Sequence, residues 1–297
     1  MSDLLPSRPF TWDDVLRLHD LVRRSRHGDP RVGGCHTGDL YWVLRATPPD
    51  DPLAGMRAWH TANGSLEAVA WLDPPSSGDT IVSLDADAST FQQALDWLEG
   101  EQGSNGRASL SIVAQHGDTV RIDALERRGY AESAAGDVRL RCVLGSAQAS
   151  VPLPEGFSLR HVSSDEDIER RVSVEASAFG GSVSLDRWGL LAQRLPTYRP
   201  SLDLIAVASD GTGASACTCW YDEEHHRGEI EAVGTSKQFQ RLGIGKAVIT
   251  EGLRRLQALG ATEAVLYTNI GNVASLALYR SCGFEPVAED HAWVKQL

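Results

Sequence analysis

The sequence predicts an α/β (α+β) protein built from two similar folds in tandem. Three features point there. Strand-like and helix-like segments follow one another in the same order through residues 1–147 and again through residues 152–297. A glycine followed by an aromatic residue recurs near the end of each half, as Gly129-Tyr130 and Gly283-Phe284, 154 positions apart. Between the halves, Gly145 to Pro154 carries the small residues and prolines of a linker.

In the first half, Val15, Leu16, Leu18, Leu21 and Val22 give Trp12 to Arg26 a helical repeat with one apolar side. Thr11 suits the N-cap ahead of Asp13 and Asp14, whose charges favour a helix start. Strand-like runs follow at Leu40 to Ala46, Leu66 to Leu72 and Thr80 to Leu84. A helix over Thr90 to Glu101 then places Phe91, Leu95 and Leu98 on one face, and Ala108 to Val113 and Val138 to Leu144 again alternate as strands.

The second half opens at Pro154 to Arg160 much as Arg8-Pro9-Phe10 opens the first. A helix near Asp165 to Ala178 precedes strands near Leu202 to Ser209, Ala214 to Trp220 and Gly228 to Thr235. A helix with Ile249, Leu253 and Leu256 on one face leads to a strand at Glu263 to Thr268.

Composition narrows the function. With 297 residues, 42% of them hydrophobic and 23% charged, the chain can bury a sizeable core. No apolar run approaches the roughly 18 residues of a membrane span, and the start lacks the charged and apolar regions of a secretory signal. The five scattered cysteines, at 35, 142, 217, 219 and 282, form no disulfide framework, so a soluble, reduced, cytoplasmic protein is expected. A formal net charge of −12 argues against nucleic acid, which is held by clustered cations. The short basic run Arg23, Arg24 and Arg26 reads as a solvated helix face, and Asp222-Glu223-Glu224 as a solvated turn.

Between the strand ending at Thr235 and the next helix lies Gln240-Arg241-Leu242-Gly243-Ile244-Gly245-Lys246. Two glycines at the mouth of a helix let backbone approach a ligand, and the unpaired amides of the first turn, with the helix dipole, attract an anion. Arg241 and Lys246 add positive charge. The loop lacks the ending of a P-loop, because Ala247 follows Lys246, and it lacks the three glycines of a dinucleotide fingerprint. It resembles the Gln/Arg-x-x-Gly-x-Gly/Ala signature of the GNAT superfamily of N-acetyltransferases, with Gln240, Gly243 and Gly245 in the defining places. Downstream, Asn272 to Phe284 resembles the family's Asn-x-x-Ala-x-x-Leu-Tyr-x-x-x-Gly-Phe segment, with Ser275 standing in the alanine place.

The resemblance implies two GNAT-like domains, each a mixed, mostly antiparallel twisted sheet flanked by helices. Residues 152–297 would hold acetyl-CoA, or another short acyl-CoA, as co-substrate and pass the acyl group by direct attack to a primary amine of a small molecule or peptide. The loop from Gln240 to Lys246 would take the pyrophosphate, and the backbone of Val233, Gly234 and Thr235 the pantetheine arm. Asn272 would cap its helix or contact the cofactor. Tyr279 stands where the family places a proton donor to the departing thiolate, its other reading being a packed core aromatic. Glu229 or Glu231, two apart on one strand face, would act as base; the pair could equally bind a cationic acceptor or have no role.

In residues 1–147 the equivalent loop reads Asp85-Ala86-Asp87-Ala88-Ser89-Thr90, with two carboxylates that repel a pyrophosphate. That half is expected not to bind CoA by this loop, and to build the acceptor cleft or support its neighbour. No metal is expected: Cys217 and Cys219, with His225 and His226 behind them, match zinc spacing poorly. Cys35 and His36 are adjacent, and neighbours rarely face one another as nucleophile and base. A binding protein without turnover remains the alternative; it needs the loop but neither Tyr279 nor a base.

Overall fold

The computed structural model of the chain describes residues 4–24, 36, 38–40, 53–73, 77–82, 88–145, 150–180, 185, 188–189, 194–195 and 197–297. The first half contains strand β1 (Ser7–Pro9), a 3-10 turn (Trp12–Asp14) and helix α1 (Val15–Arg24). Strands β2 (Met56–His60), β3 (Leu66–Asp73) and β4 (Ser77–Val82), helix α2 (Ala88–Ser104), β5 (Ser109–Gln115), helix α3 (Thr119–Arg127) and β6 (Ala131–Val143) come next. The second half repeats the order with β7 (Phe157–His161), α4 (Asp165–Phe179), β8 (Asp203–Ala208), β9 (Gly213–Asp222) and β10 (Arg227–Thr235). It closes with α5 (Ile244–Ala258), β11 (Glu263–Asn269), α6 (Val273–Ser281) and β12 (Glu285–Gln296). The expected strand at 40–46 lies outside the described residues apart from Leu40, which is helical, and Asp85 and Asp87 also lie outside them.

Local chemistry explains the helix ends. Ser164 accepts from the Asp167 N–H to cap α4, and Asp165, Glu166 and Asp167 sit at the positive end of its dipole. Thr11 donates its N–H and its hydroxyl to the Asp14 carboxylate at 3.0 Å each, fixing the entry to α1. Among the described residues no helix is long and apolar enough to cross a membrane.

Among the described residues, all twelve strands form one sheet in the order β1-β2-β3-β4-β5-β12-β6-β11-β10-β9-β8-β7. Neighbours are antiparallel except β4 with β5 and β10 with β11. The order shows an exchange: β12, from the second half, lies between β5 and β6, and β6, from the first half, pairs with β11. Packing matches the exchange. Val138, Leu140 and Cys142 of β6 belong to the core under α5 and α6, whereas Trp293 of β12 belongs to the core under α2 and α3. Each such side chain, once buried, stabilises the fold by about 2 kcal/mol.

A third core draws on both halves, bringing Leu18, Leu21, Met56 and Val69 together with Val162, Ile205, Val207 and Trp220. Here two expectations from the sequence are corrected. Arg23 is not on a purely solvated face but reaches Asp222 at 3.4 Å and Glu224 at 3.6 Å. Asp222 is buried, not a solvated turn residue, because it accepts from the Glu224 N–H at 3.0 Å and pairs with His225 Nδ1 at 2.8 Å. Burial pushes its pKa up, but the His225 bond, charge and backbone N–H outweigh that and hold the carboxyl below its ordinary value. A depressed folded pKa stabilises the protein above the unfolded value near 4 and loses that contribution as pH falls through the folded value. Asp222→Ala should therefore lower stability in urea by about 1–3 kcal/mol at pH 7, and the gap between variant and wild type should narrow below about pH 4.

Candidate active site

Strand β10 runs antiparallel to β9 from Arg227 to Thr235 but meets β11 only at Arg227–Glu263, Gly228–Ala264 and Glu229–Val265. Beyond Glu229 the two parallel strands part, and Leu266 to Asn269 of β11 pair with β6 alone. A bulge in β10 between Ile230 and Val233, opposite Cys219 and Cys217, bends the strand at the same point. One edge of β10, including the expected Val233, Gly234 and Thr235, thus faces a gap and can pair with an extended amide-bearing ligand.

Contacts on the other side hold that edge still. Ser215 Oγ donates to the Gly234 carbonyl at 2.7 Å, and the Ser236 N–H donates to the Ala214 carbonyl at 2.9 Å. A Cβ on Gly234 would lie 2.8 Å from Ala178 Cβ, so glycine lets α4 press against the strand.

The loop after β10 makes a 3-10 turn at Lys237–Phe239, and Gln240 then donates its side-chain amide to the Thr235 carbonyl at 3.3 Å. Arg241 (φ +65°) and Gly243 (φ +84°) both take the left-handed conformation, which Gly243 adopts without the cost a Cβ imposes. Gly243 is the N-cap of α5 and brings no side chain to cap it. The first intrahelical bond runs from the Ala247 N–H to the Gly243 carbonyl at 3.2 Å, leaving the N–H groups of Ile244, Gly245 and Lys246 without helical partners. Gln240, Arg241, Leu242 and Gly243 are exposed, Lys246 is half-buried, and Ile244 and Gly245 are buried. Lys237, Arg241 and Lys246 stand in a stretch, 232–250, that holds no carboxylate, a positive island in an acidic chain. The donor set fits a pyrophosphate.

The missing Cβ of Gly245 also serves packing. Its φ is ordinary, and an added Cβ would lie 3.2 Å from Thr235 Oγ1 and 3.4 Å from Leu278. It lets α5 pack closely on β10 and α6, while Gly243, whose Cβ position is open, is the one that faces outward.

Tyr279 on α6 is buried in the core below α5, its ring edge-on to Phe284 with centroids 6.3 Å apart. Burial first, and the charge of Glu231 next, push its hydroxyl well above the ordinary tyrosine pKa. It is therefore protonated at neutral pH. Asn272 caps α6 by accepting from the Ser275 N–H at 3.1 Å.

The two glutamates occupy different surroundings. Glu231 is half-buried, and its carbonyl accepts from the Trp220 indole N–H. Glu229 is fully enclosed, with His36 Nδ1 at 2.9 Å from its carboxylate, and His36 is equally buried. The Gly38 N–H lies 3.1 Å from the same His36 nitrogen, and a Cβ on Gly38 would fall 2.2 Å from Glu229 Oε2 and 2.4 Å from the Trp220 ring. His36 and Gly38 come from the first half; only the glycine-rich character of their segment marks them in the sequence. Cys35 lies outside the described residues. Cys217 and Cys219 are buried with sulfurs 3.7 Å apart, while His225 pairs with Asp222 and His226 with the Tyr221 hydroxyl, so these four do not gather around one point.

Residues 180–284 match the model of the acetyltransferase (GNAT) family. A mycothiol acetyltransferase of Kineococcus radiotolerans is 32% identical over 182 residues, covering 59% of this chain and 58% of that protein, so the match spans less than two thirds of the relative. Another, of Saccharomonospora viridis, is 30% identical over 207 residues and covers 63% of this chain and 68% of that protein. Among solved structures, a tandem GNAT protein from the clavulanic acid biosynthesis pathway, without AcCoA, superposes with a TM-score of 0.68 at 14% identity, covering 99% of this chain and 98% of that chain. A chain with these relatives, this loop and this order of strands belongs to the GNAT family of acetyltransferases.

Proposed function

We propose that the protein is an acyl-CoA-dependent N-acyltransferase that moves an acetyl group from acetyl-CoA to a primary amine of a small molecule or peptide. The observation that carries this reading is the parting of β10 from β11 after three residue pairs, ahead of a helix N-terminus whose N-cap is a glycine with no side chain to cap it. Residues 152–297 form the acetyl-CoA domain, and residues 1–147 a companion that lacks a pyrophosphate loop. The chain's likeness to mycothiol acetyltransferases makes a mycothiol-related amine the first acceptor to assay, in a cytoplasmic setting.

Acetyl-CoA supplies an activated acyl group and a thiolate leaving group. The chain would hold its diphosphate with the N–H groups of residues 244–246 and the charges of Arg241 and Lys246, and its amide-bearing arm along Val233 to Thr235. Tyr279 keeps a proton at neutral pH and would give it to the departing sulfur as the carbon–sulfur bond breaks. Glu231 or Glu229 would take the amine proton, Glu231 from a half-exposed position and Glu229 as part of a buried pair with His36.

Thermal unfolding tests the cofactor first. Acetyl-CoA at about 100 times its Kd should stabilise the protein by about 2.7 kcal/mol, a shift of several degrees, and Gly243→Glu should abolish it. Absence of any shift in the wild type would remove the reading. Tyr279→Phe should lower kcat by about 10²- to 10⁴-fold with acetyl-CoA affinity unchanged. Comparing Glu229→Gln with Glu231→Gln identifies the base as the variant that loses turnover while the acetyl-CoA shift persists; binding without turnover on an amine panel would favour the non-catalytic alternative. Gly38→Ala should displace Glu229 and Trp220 and cut turnover while the acetyl-CoA shift persists, which the same two assays check.

A further inference from the structure

Where the exchanged strand β12 lies between β5 and β6, side chains from all three strand regions converge. His116 directly follows β5, Glu132 is on β6 and His291 is on β12. One ring nitrogen from each histidine and one carboxylate oxygen from Glu132 all lie within 4.8 Å of one another. The two imidazole centroids are 5.3 Å apart with the rings tilted by 38°. The backbone sets this meeting, because the His116 N–H donates to the Glu289 carbonyl at 2.8 Å and so extends the β5–β12 ladder by one residue. Among the described residues, no other three metal-ligating side chains come together in this way.

A carboxylate beside an imidazole needs no metal, and His291 Nδ1 already hydrogen-bonds Glu132. The second imidazole changes the chemistry. Two protonated rings this close would repel each other, whereas two neutral rings can both direct lone pairs at one point. The other nitrogen of His291, Nε2, lies 3.5 Å from Glu289 Oε2. That is the arrangement in which a carboxylate orients a ligating histidine from behind. Two imidazoles and one carboxylate, with water completing the set, suit zinc and similar first-row divalent ions, not magnesium or calcium, which prefer oxygen alone. Zinc ligands at about 2.0–2.1 Å from the metal stand on the order of 3.4 Å apart, so the hydrogen-bonded His291–Glu132 pair must open while the wider separations, within 4.8 Å, close by up to about 1.4 Å. His116 and Glu132 are exposed and His291 is half-buried, so rotations of surface side chains can supply that closure.

We propose that His116, Glu132 and His291 form a surface zinc site that clamps the second half's exchanged strand to the first half. A ligand held by the folded state alone raises its stability, and here the three donors belong to strand regions 116, 132 and 291 that adjoin only when the exchange is complete. The test is thermal unfolding of chelator-treated protein titrated with zinc chloride, with magnesium chloride in parallel. The expected result is a saturable rise in Tm of a few degrees with zinc and none with magnesium, together with visible absorption bands of bound cobalt when cobalt(II) replaces zinc. His116→Ala, which removes an exposed ring, and Glu132→Gln should each keep the metal-free Tm within a degree or two of wild type and lose the zinc-dependent rise. No rise in the wild type, or the same rise in both variants, overturns the proposal.

Discussion

A strand in the middle of a sheet needs a neighbour on each side, and in this protein the last strand of each half finds its neighbours in the other half. β6 lies between β12 and β11, and β12 between β5 and β6. Backbone groups that would otherwise be left at two sheet edges are paired along the seam. Side chains reinforce it: Glu263 of β11 accepts from Arg141 of β6 and from Arg227 of β10, and Asp290 of β12 accepts from Arg139 of β6 at 2.7 Å. Everything else is hung on this continuous frame, including the meeting of α1 with the second half's sheet through Trp220.

The frame also explains where the sheet can open. β11 keeps a full ladder with β6 on one side, so it can leave β10 on the other without exposing both edges. β10 in turn keeps β9, and Ser215 and Ser236 secure its far end. The first half shows the same geometry in outline: β4 and β5 are parallel and pair only at Ser77–Ser111 and Gly78–Ile112. The two halves share a splayed pair of parallel strands and differ in the loop sequence between the first strand of the pair and the next helix, cationic and glycine-bearing in one half, acidic in the other.

Much of the second half is legible in the sequence, because long apolar runs and strong caps agree with the final fold. The helix at 244–258 and the strands at 203–208, 227–235 and 263–269 fall within a few residues of their expected limits. β2 escapes sequence reading because Met56–His60 is short and mixes buried with half-buried positions. β12 escapes it because Pro286 and several charges interrupt its alternation, and bulges shift its register twice. In the site, the anion loop and its uncapped helix are readable, since they depend on local residues. The enclosure of Glu229 is not, because His36 lies almost two hundred residues away in sequence and only tertiary packing joins them. The spacing of Gly245 points to a ligand, and the close packing of its helix on Thr235 and Leu278, which also needs the missing Cβ, is visible only in the fold.

The exchange of strands has a consequence for how the molecule is made. The first half cannot complete its own core until Trp293 arrives, and Trp293 belongs to the strand at 285–296. During synthesis the ribosome would release residues 1–143 with β5 unpaired on the side that β12 will occupy. Contacts between positions so far apart in sequence form slowly, and an apolar strand edge left waiting is exposed to other nascent chains. The two halves are thus bound to each other in time as well as in space: neither reaches its native packing before the other has been translated.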